Sequence, residues 1–223
     1  MVDMSEPDVS TTTVRRVSEL IELGRDREAA ELADSRSQTP GGPMDALSQL
    51  DELGPLLAGV VGEITRNQLD TPTPCAEFTV RGVLEHMIGG AAMFAAGFRG
   101  VEPTTPDSDD VLASFGPALL GLAEAMHGPG ALDRMIQAPF GEVPGETFAR
   151  FVVLDGLVHG WDLATATGQP YEPSDALVAE VQSFGTQALG PLRDGVTFAD
   201  ATEPPASATP IERLAALTGR QVI

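Results

Sequence analysis

Lysine is absent from this chain: all 13 basic residues are arginine, against 33 acidic ones, for a formal net charge of -20. A surface of that sign repels nucleic acid and anionic lipid. Aromatic residues are only 5% of the total, too few for a base-stacking platform. The single cysteine, Cys75, excludes an internal disulfide framework and any multi-cysteine zinc site. No apolar run is long enough to span a bilayer: the best, around Met87 to Phe98, is broken by glycines and ends at Arg99. The N-terminus carries Asp3, Glu6 and Asp8 and no apolar stretch, so it does not read as a secretory signal. The expectation is a cytoplasmic protein with no nucleic-acid partner and no membrane partner.

What is present reads as helix. Residues 1–13 form an acidic, Thr-rich tail, and Val14, Val17, Leu20, Ile21 and Leu23 recur near helical spacing. Thr39-Pro40-Gly41-Gly42-Pro43 is a linker signature, which separates an N-terminal extension over 1–43 from a main domain over 44–223. A first main helix is expected over 45–67, with Leu50, Leu53, Leu57 and Val60 in its apolar stripe. Thr71-Pro72-Thr73-Pro74-Cys75 must be extended, because proline steers the residue before it out of the α region. Thr79 is placed to cap a second helix to about Phe98, with Phe78 and Val83 as a hydrophobic staple. Further helices are expected over 109–126, 146–167, 174–189 and 210–217. The Gly- and Pro-rich stretch 128–145 reads as an irregular excursion, and no strand is expected. The fold class is therefore all-α, a helical bundle.

There are three histidines. His86 falls in the second main helix and His159 in the fourth. Asp155 precedes His159 by four residues and Asp162 follows it by three, so one helix face offers carboxylate, imidazole and carboxylate in a row. Imidazole with one carboxylate suits zinc, nickel or iron, and three protein ligands leave positions open for water or substrate. The same spacing also arises from an intrahelical ion pair. Gly82, Gly89 and Gly90 accompany His86, and Gly156 and Gly160 flank His159. Glycine costs about 1 kcal/mol relative to alanine inside a helix, so this clustering points to close helix packing or to space kept for a ligand. Cys75 reads as a small buried residue with no basic partner, Trp161 as core, Arg81 as a surface residue, and His127 as a cation at a helix C-terminus.

Three stretches carry a resemblance: Thr73-Pro74-Cys75-Ala76-Glu77-Phe78-Thr79-Val80-Arg81-Gly82-Val83-Leu84-Glu85-His86, Pro139–Gly145, and Asp155-Gly156-Leu157-Val158-His159-Gly160-Trp161-Asp162-Leu163-Ala164. With Arg213–Arg220 they resemble the actinobacterial metal-binding proteins related to the N-terminal domain of mycothiol-dependent maleylpyruvate isomerase, within the wider DinB-like group. The resemblance implies a DinB-like four-helix bundle, here with additional short helices and the N-terminal helical extension. It also implies one divalent ion, zinc foremost, held by a His on the second helix and a Glu-x-x-x-His pair on a later one. His86 and His159 match that pattern, and Asp155 stands where the family has Glu, one methylene shorter, so the expected ligands are His86, Asp155 and His159, with Asp162 as the alternative carboxylate. The isomerase-like enzymes carry a further C-terminal domain that this chain is expected to lack, so the maleylpyruvate reaction is not carried over. The expectation is a metal-dependent, mycothiol-type thiol transferase or isomerase acting on a small molecule, with Asp162 as an orienting group or base. The alternative is a non-catalytic metal- or ligand-binding accessory protein, and either could form a homodimer.

Overall fold

The computed structural model describes residues 44–76, 78–104, 110–138, 140–193 and 198–222. The expected N-terminal extension over 1–43 lies outside them. Helix α1 spans Ala46–Gly62, α2 Val80–Arg99, α3 Val111–Met126 and α4 Gly145–Thr167; α5 is Asp175–Ala188 and α6 Pro210–Leu217. Short 3-10 turns occupy Arg66–Gln68 and Gly190–Leu192.

Every helix but α4, which follows Pro144, begins where a side chain takes up free backbone N–H groups. Asp45 accepts from Ser48 N at 2.7 Å, Thr79 from Gly82 N at 3.3 Å, and Ser174 from Leu177 N at 3.1 Å. Asp110 caps α3, and Thr209 with Glu212 forms a capping box at α6. Helices α2 and α4 end at Gly100 and Gly168, both left-handed with φ of 68° and 71°, which glycine adopts without a Cβ penalty. The first helix stops at Gly62, earlier than its apolar pattern suggests, and Ile64 continues the buried face from a turn.

Helices α1 to α4 make the bundle, with α2 against α3, α1 against α4, and α2 also against α4. Leu53, Leu84, Phe98, Met126, Leu154 and Leu157 are fully buried in its core. Helices α5 and α6 pack on each other and on α4. The stretch expected to be irregular holds an antiparallel hairpin instead: β1 Met135–Ala138 pairs with β2 Gly141–Pro144, Ile136 opposite Val143. Strand β1 alternates exposed and buried positions, and it packs its buried Ile136 and Ala138 toward α2 and α4. No helix among the described residues is long and apolar enough to cross a membrane.

The glycines of α4 have a specific use. A Cβ at Gly156 would lie 2.9 Å from Leu53 Cδ2, and one at Gly160 would lie 2.9 Å from Leu57 Cδ2 and 2.8 Å from Tyr171 Cζ. They let α1 and Tyr171 approach α4 closely, and the space beside them is filled. Tyr171 closes this seam with its hydroxyl buried and no hydrogen-bond partner among the described residues.

Candidate metal centre

Residues Thr71 to Val80 fold back on themselves before α2 starts. Thr73 N donates to Phe78 O, Phe78 N to Cys75 O, and Val80 N to Thr71 O, at 2.9 to 3.1 Å. The two prolines keep the outgoing arm extended, and the turn at Cys75 carries Phe78 to the mouth of the bundle. Gly82, one turn into α2, leaves room for that ring: a Cβ there would meet Phe78 Cδ1 at 2.9 Å.

Two imidazoles meet beneath Phe78. The rings of His86 and His159 have centroids 4.8 Å apart, and Phe78 lies 5.6 Å from the first and 6.5 Å, edge-on, from the second. Asp155 Oδ1 is 3.5 Å from His86 Nε2 and 3.5 Å from His159 Nε2. The donor atoms of all three side chains fall within 4.8 Å of one another. Zinc bonds of about 2.0–2.1 Å at tetrahedral angles put neighbouring donors about 3.3 Å apart, so the residues present fit one such ion. The shorter Asp side chain reaches both imidazoles. His86 is 39% exposed and His159 only 7%, so the centre opens to solvent on the α2 side.

The charges agree with this geometry. Asp155 accepts from His86 and lies near its charge, which raises the His86 pKa above its ordinary value despite burial. Burial pushes the Asp155 carboxyl up, but the charges of His159, His86 and Arg220 outweigh it and hold the group below its usual range.

Asp162 faces the other edge of the ring. Its Oδ2 is 3.0 Å from His159 Nδ1, it is fully buried, and it is paired with Arg220 at 2.8 Å. Arg220 is the residue sequence reasoning missed. It comes from the turn after α6, 58 positions beyond Asp162, and its only sequence sign is the match of the Arg213–Arg220 stretch. It also corrects the reading of Cys75 as lacking a basic neighbour. Burial lowers the Arg220 pKa, but Asp162, Cys75 and Asp155 together raise it above the ordinary value. Cys75, His159 and Asp162 form a second cluster of donors within 4.8 Å. A guanidinium already sits on that cluster's carboxylate, so of the two clusters among the described residues the His86–Asp155–His159 set is the one that could take an ion.

The remaining residues play other parts. Trp161 is buried, His127 ends α3 and meets Asp51 with its Nε2 2.8 Å from Oδ1, and Arg81 lies 4.0 Å from Asp70 on the surface. Gly156 and Gly160 do not open onto the centre, for the reason given above. A crevice of about 30 Å³ between the helices does reach Asp155, and its walls include Leu50, Leu53, Met87, Phe94 and Phe115.

A four-helix bundle whose second and fourth helices face two histidines and a carboxylate toward one point defines the class. The chain belongs to the family of the mycothiol maleylpyruvate isomerase N-terminal domain, whose model matches residues 50–138. That match takes in Cys75 and His86 and ends before α4. Two uncharacterized proteins of Mycobacterium tuberculosis, from strains CDC 1551 / Oshkosh and ATCC 25618 / H37Rv, are each 32% identical to it over 183 residues, covering 80% of this chain and 100% of theirs. No solved structure matches the chain.

Proposed function

We propose that this protein holds one divalent metal ion, zinc foremost, on His86, Asp155 and His159, and uses it in a thiol-dependent transfer or isomerisation of a small molecule. The observation that carries the reading is the convergence of three donor atoms from α2 and α4 at a point open to solvent. When bound, the ion would acidify a low-molecular-weight thiol such as mycothiol, or a water. His86 and His159 offer neutral nitrogens to it and Asp155 a carboxylate. Phe78 packs against both imidazoles and leaves the His86 edge open. Asp162 is committed to Arg220 and His159, so it orients the imidazole rather than exchanging protons with a substrate.

Metal content of the untagged protein by elemental mass spectrometry tests this. About one ion per chain is expected, lost in both His86→Ala and Asp155→Ala. No metal after incubation with zinc, nickel and iron would overturn it. Loss in His86→Ala alone would remove Asp155 from the ligand set.

The raised His86 pKa gives a pH dependence with a definite sign. A protonated imidazole cannot ligate, so each ligating imidazole that takes up a proton lowers apparent affinity by about tenfold per pH unit, and the raised His86 pKa starts the fall at a higher pH than for an ordinary histidine. Competition titration across the neutral range measures it, and a flat profile there would remove His86 as a ligand.

A non-catalytic role, holding a metal or small ligand, is the second reading. The small volume of the crevice beside Asp155 favours it. Turnover of electrophiles by the metal-loaded protein with mycothiol would decide for the enzyme.

A further inference from the structure

The buried pair behind His159 lies outside the three donors. Arg220 donates from Nε to Asp162 Oδ1 at 3.3 Å and from Nη2 to Oδ2 at 2.8 Å, a two-pronged grip on the carboxylate. Arginine has donors only, so both oxygens act as acceptors. Oδ2 also lies 3.0 Å from His159 Nδ1, which makes that ring nitrogen the donor. Arg220 Nη2 itself lies 3.4 Å from Nδ1, a contact that would demand the opposite tautomer. The carboxylate bond is shorter, and Nη2 is already committed to Oδ2, so the carboxylate decides. Asp155 Oδ1 would draw the proton to Nε2 instead, but it lies at 3.5 Å against 3.0 Å for Asp162, so the shorter contact keeps the proton on Nδ1 and leaves the Nε2 lone pair on the side of Asp155, where a cation would satisfy both. Water has little access to compete, because Asp162 is fully buried and the Arg220 side chain only 11% exposed. The guanidinium is itself anchored: Nη1 donates to Thr218 O at 3.3 Å, and the Arg220 backbone N–H to Ala215 O at 3.1 Å.

We propose that Arg220 is a positioning residue for the candidate centre, gripping Asp162 so that His159 keeps its proton on Nδ1 and directs Nε2 at Asp155 and His86. The turn that ends α6 thereby sets the orientation of a side chain on α4. The proposal's bearing on metal rests on the reading of the three-donor site; the tautomer does not depend on it.

The test uses the full chain with ¹⁵N-labelled histidine, stripped of metal, at a pH above the imidazole range. Long-range ¹⁵N–¹H correlations report which nitrogen of each ring carries the proton, and a His86→Gln spectrum helps assign the His159 signals. The wild type is expected to show His159 protonated on Nδ1. Arg220→Lys keeps the charge but offers a single point donor, and it should give mixed tautomers. Its Co²⁺ affinity, measured by competition, should fall about 10- to 100-fold, the usual cost of disturbing an outer partner of a ligating histidine. Arg220→Met should lose more. If it fails to fold by circular dichroism, the lysine variant decides. A proton on Nε2 in the wild type overturns the proposal, and so does an Arg220→Lys protein with unchanged tautomer and unchanged affinity. Tautomer shifts in the variants without Co²⁺ binding in any protein would leave the positioning role standing and remove the metal reading.

Discussion

Asp162→Ala should lower the stability of the metal-free protein by about 3–5 kcal/mol, because removing one partner leaves the other charge buried and uncompensated. For a domain of this size that is a fall in Tm of roughly 6–20 °C, measurable by thermal denaturation. Arg220 cannot neutralise itself, since a guanidinium stays protonated in proteins. Its side chain is 11% exposed, so the charge has only a short way to water, which places the effect toward the lower end. The size reflects what is left behind, not a net worth of the ion pair: a buried pair against well-packed apolar residues is often neutral. Asp162→Asn should cost less, since its amide oxygen still accepts from Arg220. A fall of under about 2 °C for Asp162→Ala would show that the guanidinium finds another partner and that the carboxylate is not needed to hold the turn after α6.

Gly160→Ala is the second large effect. A Cβ there would lie 2.8 Å from Tyr171 Cζ and closer still to its hydroxyl, with Leu57 Cδ2 at 2.9 Å on the other side. Leu57 can rotate, but the phenol ring is rigid and half-buried, so it must shift away from α4. Overpacking of this kind costs about 1–3 kcal/mol. Tyr171 adds a means of checking the cause. Its buried hydroxyl has no partner among the described residues, and burial alone pushes its pKa upward. Tyr171→Phe by itself should therefore be neutral or slightly stabilising, because an apolar atom replaces an unsatisfied polar one. In the double variant the nearest clashing atom is gone, and part of the Gly160→Ala loss should return. Urea unfolding of the four proteins gives the coupling directly. Strict additivity would show that Tyr171 is not what the glycine accommodates.

The helices were legible because their signals are local. Apolar spacing placed α2, α4 and α6 within a residue or so, and Thr79 and Gly168 mark ends by chemistry that acts over one turn. His86, Asp155 and His159 were readable as a set for a related reason: Asp155 and His159 share a helix face by spacing, and the family resemblance supplied His86. The hairpin was not legible. Its two strands are four residues each, and the glycines and prolines around them carry the same signal as a loop. The α4 glycines indicated a close approach but not which neighbour makes it, since Leu53, Leu57 and Tyr171 come from elsewhere in the chain. Arg220 was the hardest to foresee, because nothing in local spacing relates a residue after α6 to a carboxylate in α4.

The two histidines stand about seventy residues apart in the chain, on helices that the hairpin and α3 separate. An ion gripped by both would close that loop as a disulfide does, in a chain whose lone cysteine can form no internal one. Unlike a disulfide, such a tie can be undone by a chelator and remade without an oxidant. At a thousandfold excess over its dissociation constant it would add about 4 kcal/mol to the folded state. The lifetime of this protein against unfolding and proteolysis would then follow the supply of free metal, and starvation for the ion would be felt first as a shorter-lived chain.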